Sequence, residues 1–236
     1  MRAYIFTGGS VNLKAISVSP EKDDIVIAAD SGYKTAEALG IKVDILIGDM
    51  DSLKRTTDGK GDMEIIRLPE EKDVTDTQAA VELAIEKGAE GIYIIGGIGS
   101  RLDHTLSSIA ILERIEALFS APLGRRRHFF GLNKQARAAR MVDAYITNGY
   151  NRIRFLRNNS IIIPKSPHFR YLSILAVDEA VKKVTIDGCK YPLHGASLKR
   201  LEQYAVSNEI TGNCAFVSVE HGAIYIVESY DDRFEK

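Results

Sequence analysis

Ile25-Val26-Ile27-Ala28-Ala29-Asp30-Ser31-Gly32 is a short apolar run that stops at an acid, a hydroxyl and a glycine. Four or five apolar residues without alternation describe a strand buried on both faces, as in a parallel sheet. The pattern recurs along the chain. Ile45-Leu46-Ile47 runs into Gly48-Asp49-Met50-Asp51-Ser52. Ile92-Tyr93-Ile94-Ile95 runs into Gly96-Gly97-Ile98-Gly99-Ser100-Arg101-Leu102-Asp103-His104. A further acidic cluster, Lys72-Asp73-Val74-Thr75-Asp76, follows Ile65-Ile66-Arg67-Leu68-Pro69. Carboxylates at the carboxyl ends of successive strands converge on one edge of an α/β sheet, where such sheets bind ligands.

Working outward, Tyr4–Thr7 and Glu64–Leu68 add two strands, and Tyr33–Leu39, Thr75–Glu86 and Asp103–Phe119 carry apolar residues at helical spacing. In the second of these helices Ala79, Ala80, Leu83 and Ala84 form one face, Glu82, Glu86 and Lys87 lie opposite, and Gly88 is the expected C-cap. Alternating strands and helices predict a mostly parallel, doubly wound, Rossmann-like sheet over residues 1–147. After about residue 145 helical periodicity is almost lost. Arg152–Leu156, Ser160–Pro164, Tyr171–Val177, Lys182–Ile186, Ala205–Ser207, Ala215–Glu220 and Ala223–Val227 follow one another with turn residues between them. This spacing predicts an antiparallel, all-β sandwich over residues 148–236. Arg125-Arg126-Arg127-His128, Arg137 and Arg140 make the segment between the domains basic, which reads as a solvated loop or helix face, with phosphate contact the sharper alternative.

Bulk properties exclude several classes. The 236 residues carry a formal net charge of −1, so nothing global points to nucleic acid or a membrane surface. Two cysteines, Cys189 and Cys214, have neither the number nor the spacing of a zinc site or a disulfide framework, and read as reduced thiols of a cytoplasmic protein. No apolar run is long enough to span a membrane, and the N-terminal residues read as a first strand rather than a signal peptide.

The acidic clusters suit Mg²⁺ and, through it, a polyphosphate. Gly48 gives the turn around Asp49 and Asp51 the freedom to aim both at one ion. Asp73 and Asp76 share the first turn of a helix, where Asp73 or Thr75 is also a natural cap. Gly96-Gly97-Ile98-Gly99-Ser100-Arg101 is a glycine-rich turn before a helix, suited to close approach of phosphate, with Arg101 able to bind it in bidentate fashion. Asp103 opens that helix as a cap or a ligand, and Gly8-Gly9-Ser10 is a second turn of the same kind. There is no Gly-x-x-x-x-Gly-Lys-Ser/Thr loop and no Gly-x-Gly-x-x-Gly fingerprint.

These motifs, in this order and spacing, resemble thiamine pyrophosphokinase. Gly188-Cys189-Lys190-Tyr191-Pro192-Leu193 and Val206-Ser207-Asn208-Glu209 are similar to that family's two thiamine-side motifs, so the resemblance covers nearly the whole chain. It implies ATP-dependent pyrophosphoryl transfer to thiamine, giving thiamine diphosphate and AMP, with Mg²⁺ required. It implies an α/β catalytic domain, a β-sandwich thiamine domain, and a homodimer with active sites between the N-terminal domain of one subunit and the C-terminal domain of the other. On that pattern Asp49, Asp51, Asp73 and Asp103 are metal and phosphate-site acids, with Asp76 close by. Asp30, Ser31, Gly97 and Arg101 fall on the nucleotide side, and Tyr191, Ser207 and Asn208 on the thiamine side. The chain departs from the family in having no tryptophan, which some members place at the Tyr191 position, and in a longer, more basic stretch over 120–150. A Mg²⁺-dependent nucleotide phosphohydrolase needs the same acids but not the two C-terminal motifs. A non-catalytic nucleotide-binding or thiamine-sensing module should have lost some of the acids, and the full set is present.

Overall fold

The computed structural model describes residues 1–48, 63–69, 73–120 and 142–231. Asp49, Asp51 and the basic stretch carrying Arg125–His128, Arg137 and Arg140 lie outside the described residues. The chain divides into two compact units, Met1–Asn148 and Gly149–Lys236.

In the first unit the elements are β1 (Arg2–Phe6), β2 (Ile25–Ala29), α1 (Gly32–Ala38), β3 (Ile45–Gly48), β4 (Glu64–Arg67), α2 (Asp76–Lys87), β5 (Gly91–Ile95), α3 (Leu102–Ser120) and β6 (Asp143–Thr147). Its strands run in the order β4-β3-β2-β1-β5-β6, all pairs parallel. The strand order reverses between β1 and β5, the topological switch point of a doubly wound sheet. Ile5, Phe6, Ile27, Ile47, Ile92, Ile94 and Ile146 are almost fully buried. Each contributes about 1.5–3 kcal/mol of apolar transfer, and together they explain why these runs lack polar residues. Tyr4, Tyr93 and Tyr145 occupy one register across β1, β5 and β6, with ring centroids 5.3 and 4.6 Å apart.

Two features of this unit depend on tertiary packing. On the charged face of α2 Lys87 is exposed but Glu82 and Glu86 are buried, and Glu82 accepts from the Arg114 guanidinium of α3, Nε at 2.8 Å. The helix packs between β1–β3 on one side and α3 on the other, so its polar stripe had to find an ionic partner. β6 is an added strand that the sequence pattern did not suggest, because only Ile146 and Thr147 of it are buried.

The second unit is entirely β: β7 (Asn151–Arg157), β8 (Ser160–Pro164), β9 (Tyr171–Ala176), β10 (Ala180–Asp187), β11 (Leu193–Lys199), β12 (Cys214–His221) and β13 (Ala223–Ser229). One antiparallel set runs β7-β13-β9 and another β11-β10-β12-β8. Leu156, Leu172, Ile174, Ile224 and Ile226 of the first set meet Ile163, Val184, Ile186, Val217 and Val219 of the second in one core, which is the expected sandwich. β11 is an edge strand that breaks the alternation rule because its pairing with β10 shifts register, so Leu193, Ala196 and Leu198, opposite Ile186, Val184 and Val181, are unevenly spaced. Ala205–Ser207 is not a strand: Ser207 has φ +57°, and beside it Asn208 keeps only an isolated bridge to Leu172. Glu228, only 2% exposed, closes one end of the first set against Arg152 and Arg154.

At the start of β1 the Arg2 side chain and backbone N–H both donate to Asp24, at 2.6–2.9 Å. The Arg2 guanidinium holds the Asp24 carboxyl down at about 2, below its ordinary 3.8. A depressed folded pKa gives stability that is present above 3.8 and lost as pH falls through about 2. Urea unfolding of the wild type should therefore weaken between pH 4 and pH 2, and Asp24→Asn should be less stable at pH 7 with that acid limb flattened.

Candidate active site

Three strand ends converge on the candidate site: β1 runs into Thr7–Ser10, β2 into Asp30-Ser31, and β5 into Gly96–Arg101. The first and third loops are knitted by their backbones. Thr7 N–H donates to Ile95 O at 2.9 Å, Gly97 N–H to Gly8 O at 2.6 Å, and Ser10 N–H to Ile98 O at 3.2 Å. Only glycine satisfies this approach. A Cβ on Gly96 (φ +101°) would lie 2.2 Å from Thr7 O, and one on Gly9 (φ +130°) 2.9 Å from Ile98 O. Below the loops, Thr7 Oγ1 and Thr77 Oγ1 share a buried 2.8 Å hydrogen bond that ties β1 to the first turn of α2.

The convergence leaves a cleft of about 560 Å³, within the range of small-ligand sites. Asp30, Ser31, Asp76, Gly97, Arg101 and His104 line it, with the hydroxyls of Ser10, Thr75, Thr105 and Ser108. Asp30 takes the left-handed conformation, φ +48°, with its N–H on Ile47 O at 3.0 Å. Gly48 makes room for it, since a Cβ there would sit 2.4 Å from Asp30 Oδ1. Thr75 caps α2 by accepting from Gln78 N–H at 3.2 Å, which leaves Asp76 at the first helical position facing the cleft. Thr105 Oγ1 receives Gly99 N–H at 3.1 Å and holds the glycine turn onto α3. The first turns of α2 and α3 both border the cleft, so their amide dipoles favour an anion there.

Arg101 and Asp103 form an ion pair, Nη2–Oδ2 2.6 Å, with both side chains about two-thirds exposed. The guanidinium lowers the Asp103 carboxyl to about 2, and the carboxylate in turn raises Arg101. Exposed pairs of this kind contribute little to stability, so Arg101 can exchange its partner for a phosphate at small cost. Asp73 is exposed, two residues ahead of the Thr75 cap, and does not line the cleft. Among the described residues no group of three or more His, Cys, Asp or Glu side chains is placed to hold a metal ion. The two cleft carboxylates with surrounding hydroxyls still suit a hard cation that takes one or two protein oxygens and fills its remaining positions with phosphate and water.

In the second unit the remaining candidates come together around one turn. Tyr191 is 60% exposed, with Lys190 Nζ 5.5 Å from its ring centroid. Ser207 is exposed and donates its N–H to Ser173 Oγ at 3.0 Å, whereas Asn208 is buried against the Tyr191 main chain. Thr7, Thr77, Thr105 and Ser108 carry no sequence motif. Arg101, just before α3, and Thr105 and Ser108 within it fall at helical spacing, the one pattern in the sequence that places them on a common face.

The family model described as the thiamin pyrophosphokinase catalytic domain matches residues 19–120, and that of the thiamin pyrophosphokinase vitamin B1 binding domain matches residues 158–224. The chain belongs to the thiamine pyrophosphokinase family. The thiamine pyrophosphokinase of Bacillus subtilis is 26% identical over 231 residues, 96% of this chain and 98% of that one. The crystal structure of thiamine pyrophosphokinase from Bacillus subtilis superposes with a TM-score of 0.78 at 22% identity, covering 98% of this chain and all of that one. Thiamin pyrophosphokinase from Candida albicans superposes with a TM-score of 0.70 at 17% identity, covering 98% of this chain and 89% of that one. At these identities the likeness places this chain in the thiamine pyrophosphokinase fold, an α/β sheet followed by a β sandwich. The catalytic-domain match includes α1–α3 and the β5 turn, and the B1-binding match includes Tyr191, Ser207 and Asn208.

The cleft depends on the bare backbone at Gly96. Gly96→Ala should lower unfolding free energy by about 1–3 kcal/mol through overpacking and a strained φ. Isothermal calorimetry should show ATP binding weakened in the folded fraction, while Gly40→Ala, whose Cβ meets nothing, should leave ATP binding unchanged.

Proposed function

We propose that this enzyme transfers the pyrophosphoryl group of ATP to the hydroxyethyl oxygen of thiamine, giving thiamine diphosphate and AMP. The observation that carries the proposal is the cleft at the β1/β5 switch point. It offers glycine-turn amides, two helix N-termini, Arg101 and two carboxylates to a polyphosphate without a Walker loop. The second support is Tyr191 and Ser207, an exposed aromatic and an exposed hydroxyl on the unit that matches a vitamin B1 binding domain.

In this reading phosphate oxygens are held by the backbone N–H groups of Gly8, Gly9, Ile98 and Ser100, since those of Ser10, Gly96, Gly97 and Gly99 are bonded within the protein, and Arg101 leaves Asp103 to grip the transferring group. Asp30 and Asp76, with Asp49, Asp51, Asp73 and Asp103 by family pattern, would hold Mg²⁺. When bound, that ion supplies charge neutralisation and alignment of the polyphosphate. The thiamine hydroxyl attacks the β-phosphorus, the bond to the α-phosphate oxygen breaks, and AMP departs. Asp73 or Asp103 accepts the hydroxyl proton. Tyr191 stacks on the acceptor and Ser207 meets its pyrimidine. We assign catalysis to residues 1–147 and thiamine binding to 148–236, in a cytoplasmic homodimer whose sites lie at the subunit interface.

Incubation with ATP, Mg²⁺ and thiamine should yield AMP only when thiamine is present. ADP would indicate transfer of a single phosphoryl group, and thiamine-independent nucleotide release would indicate a hydrolase. Asp73→Asn should lower kcat at least roughly a hundredfold with an unchanged circular dichroism spectrum. Ser207→Ala should act chiefly on the thiamine KM, and an unmoved value would remove Ser207 from the acceptor site.

A further inference from the structure

Asn208 lies at the centre of the thiamine-side motif, yet its side chain is committed to the protein. It is 5% exposed. Its Oδ1 accepts the N–H of Tyr191 and the N–H of Glu209, each at 3.0 Å, and its Nδ2 donates to Tyr191 O at 2.7 Å. A primary amide offers two acceptor sites and two donors, so the oxygen is saturated and one N–H remains. The Asn208 backbone is fixed as well, by reciprocal hydrogen bonds with buried Leu172 of β9 at 2.8 and 3.0 Å. The amide therefore clips both polar groups of the Tyr191 peptide to the sandwich core. Tyr191 itself sits in the turn between β10 and β11, where no regular ladder holds it.

The neighbouring residues divide the work. Ser207 reaches its exposed position through a left-handed backbone, φ +57°, stabilised by the Ser173 hydroxyl. Lys190 donates its N–H to Glu209 O at 2.9 Å and pairs with the Glu209 carboxylate at 3.6 Å, which keeps its ammonium over the Tyr191 ring. Ser207 and Tyr191 face outward, and Asn208 is the residue that fixes where they stand.

We propose that Asn208 is a positioning residue of the acceptor site: it holds the Tyr191 backbone so that the phenol ring stands as a preset aromatic platform, and it acts on the acceptor through Tyr191. The identity of the acceptor as thiamine rests on the function proposed above; the positioning role does not. Without the clip the Tyr191 N–H and C=O lose their protein partners, and the ring samples many orientations that binding must then narrow.

The absence of tryptophan from this chain provides the test. Tyr191→Trp introduces a single indole at the platform. In the ligand-free full-length protein, adding N208A to Y191W should lower the indole anisotropy and raise its quenching by acrylamide. If both signals stay at the Y191W values, Asn208 does not position the platform. In steady-state assays N208A and Y191A should each raise the thiamine KM roughly tenfold, as expected for loss of a few net hydrogen bonds or one stacked ring. The double variant should be no worse than either alone, with the KM for ATP moving far less. Additive effects would mean that Asn208 touches the acceptor independently and would overturn the proposal. N208D keeps the acceptor for both N–H groups and loses the donor to Tyr191 O. It should fall between wild type and N208A in both readouts, and it carries the same test if N208A fails to fold by circular dichroism. If thiamine is not the acceptor, no saturable thiamine dependence appears in the wild type, while the ligand-free indole signals still decide the positioning role.

Discussion

The contact on which the rest of the first unit depends is between two backbones, those of the loops that leave β1 and β5. Gly97 N–H on Gly8 O and Ser10 N–H on Ile98 O bring peptide planes together where a side chain would stand on any residue but glycine. Parallel neighbours at a switch point open a crevice between their outgoing loops. Here those hydrogen bonds fix the two loops to each other, so that bare backbone forms part of the cleft wall. Asp30, Asp76 and Arg101 line it together with that backbone. The N-terminal turns of α2 and α3 border the same cleft, and their dipoles add to the charge of Arg101 in favouring an anion over the two carboxylates.

That arginine is kept occupied. Its pair with Asp103 is short but exposed, and exposed pairs contribute little net free energy. A partner of that kind keeps the guanidinium near the glycine turn without holding it there against competition. A buried pair would behave differently. Glu228 with Arg152 and Arg154 is enclosed in the sandwich, and separating it would strand a charge in a poorly solvated place. Arginine paired with a carboxylate thus serves as a releasable latch in one unit and a fixed staple in the other, and solvent exposure decides which.

Much of this was legible in the residue order, for physical reasons. Ile25–Ala29, Ile45–Ile47 and Ile92–Ile95 are uninterrupted because both sheet faces are covered, and each ends at an acid or glycine where the chain turns out of the sheet. What stayed hidden depends on tertiary partners. The stripe of Glu82 and Glu86 looks solvent-facing until Arg114 is placed beside it. β11 lacks alternation because its register against β10 shifts between Leu198, Ala196 and Leu193. Thr7 and Thr77 are seventy positions apart and meet only once β1 and α2 are packed. Asp49 and Asp51, among the plainest signals in the sequence, lie outside the described residues, so their part in the site rests on sequence alone.

The two units solve a shared problem in different ways. A recognition surface must be rigid before its ligand arrives, or binding is weakened by the ordering it still has to do. In the α/β unit rigidity comes from backbone on backbone, which regular strands provide at their ends. The β10–β11 turn has no such ladder, and Tyr191 is mostly exposed, so packing cannot fix it. A buried side chain with the hydrogen-bonding pattern of a peptide supplies what a neighbouring strand would have supplied. Asparagine fits that role because its amide can accept from one main chain and donate back to it. Serine offers a single hydroxyl, and aspartate offers no donor when ionised. The geometry therefore accounts for an asparagine beside Ser207 without requiring it to touch the acceptor at all.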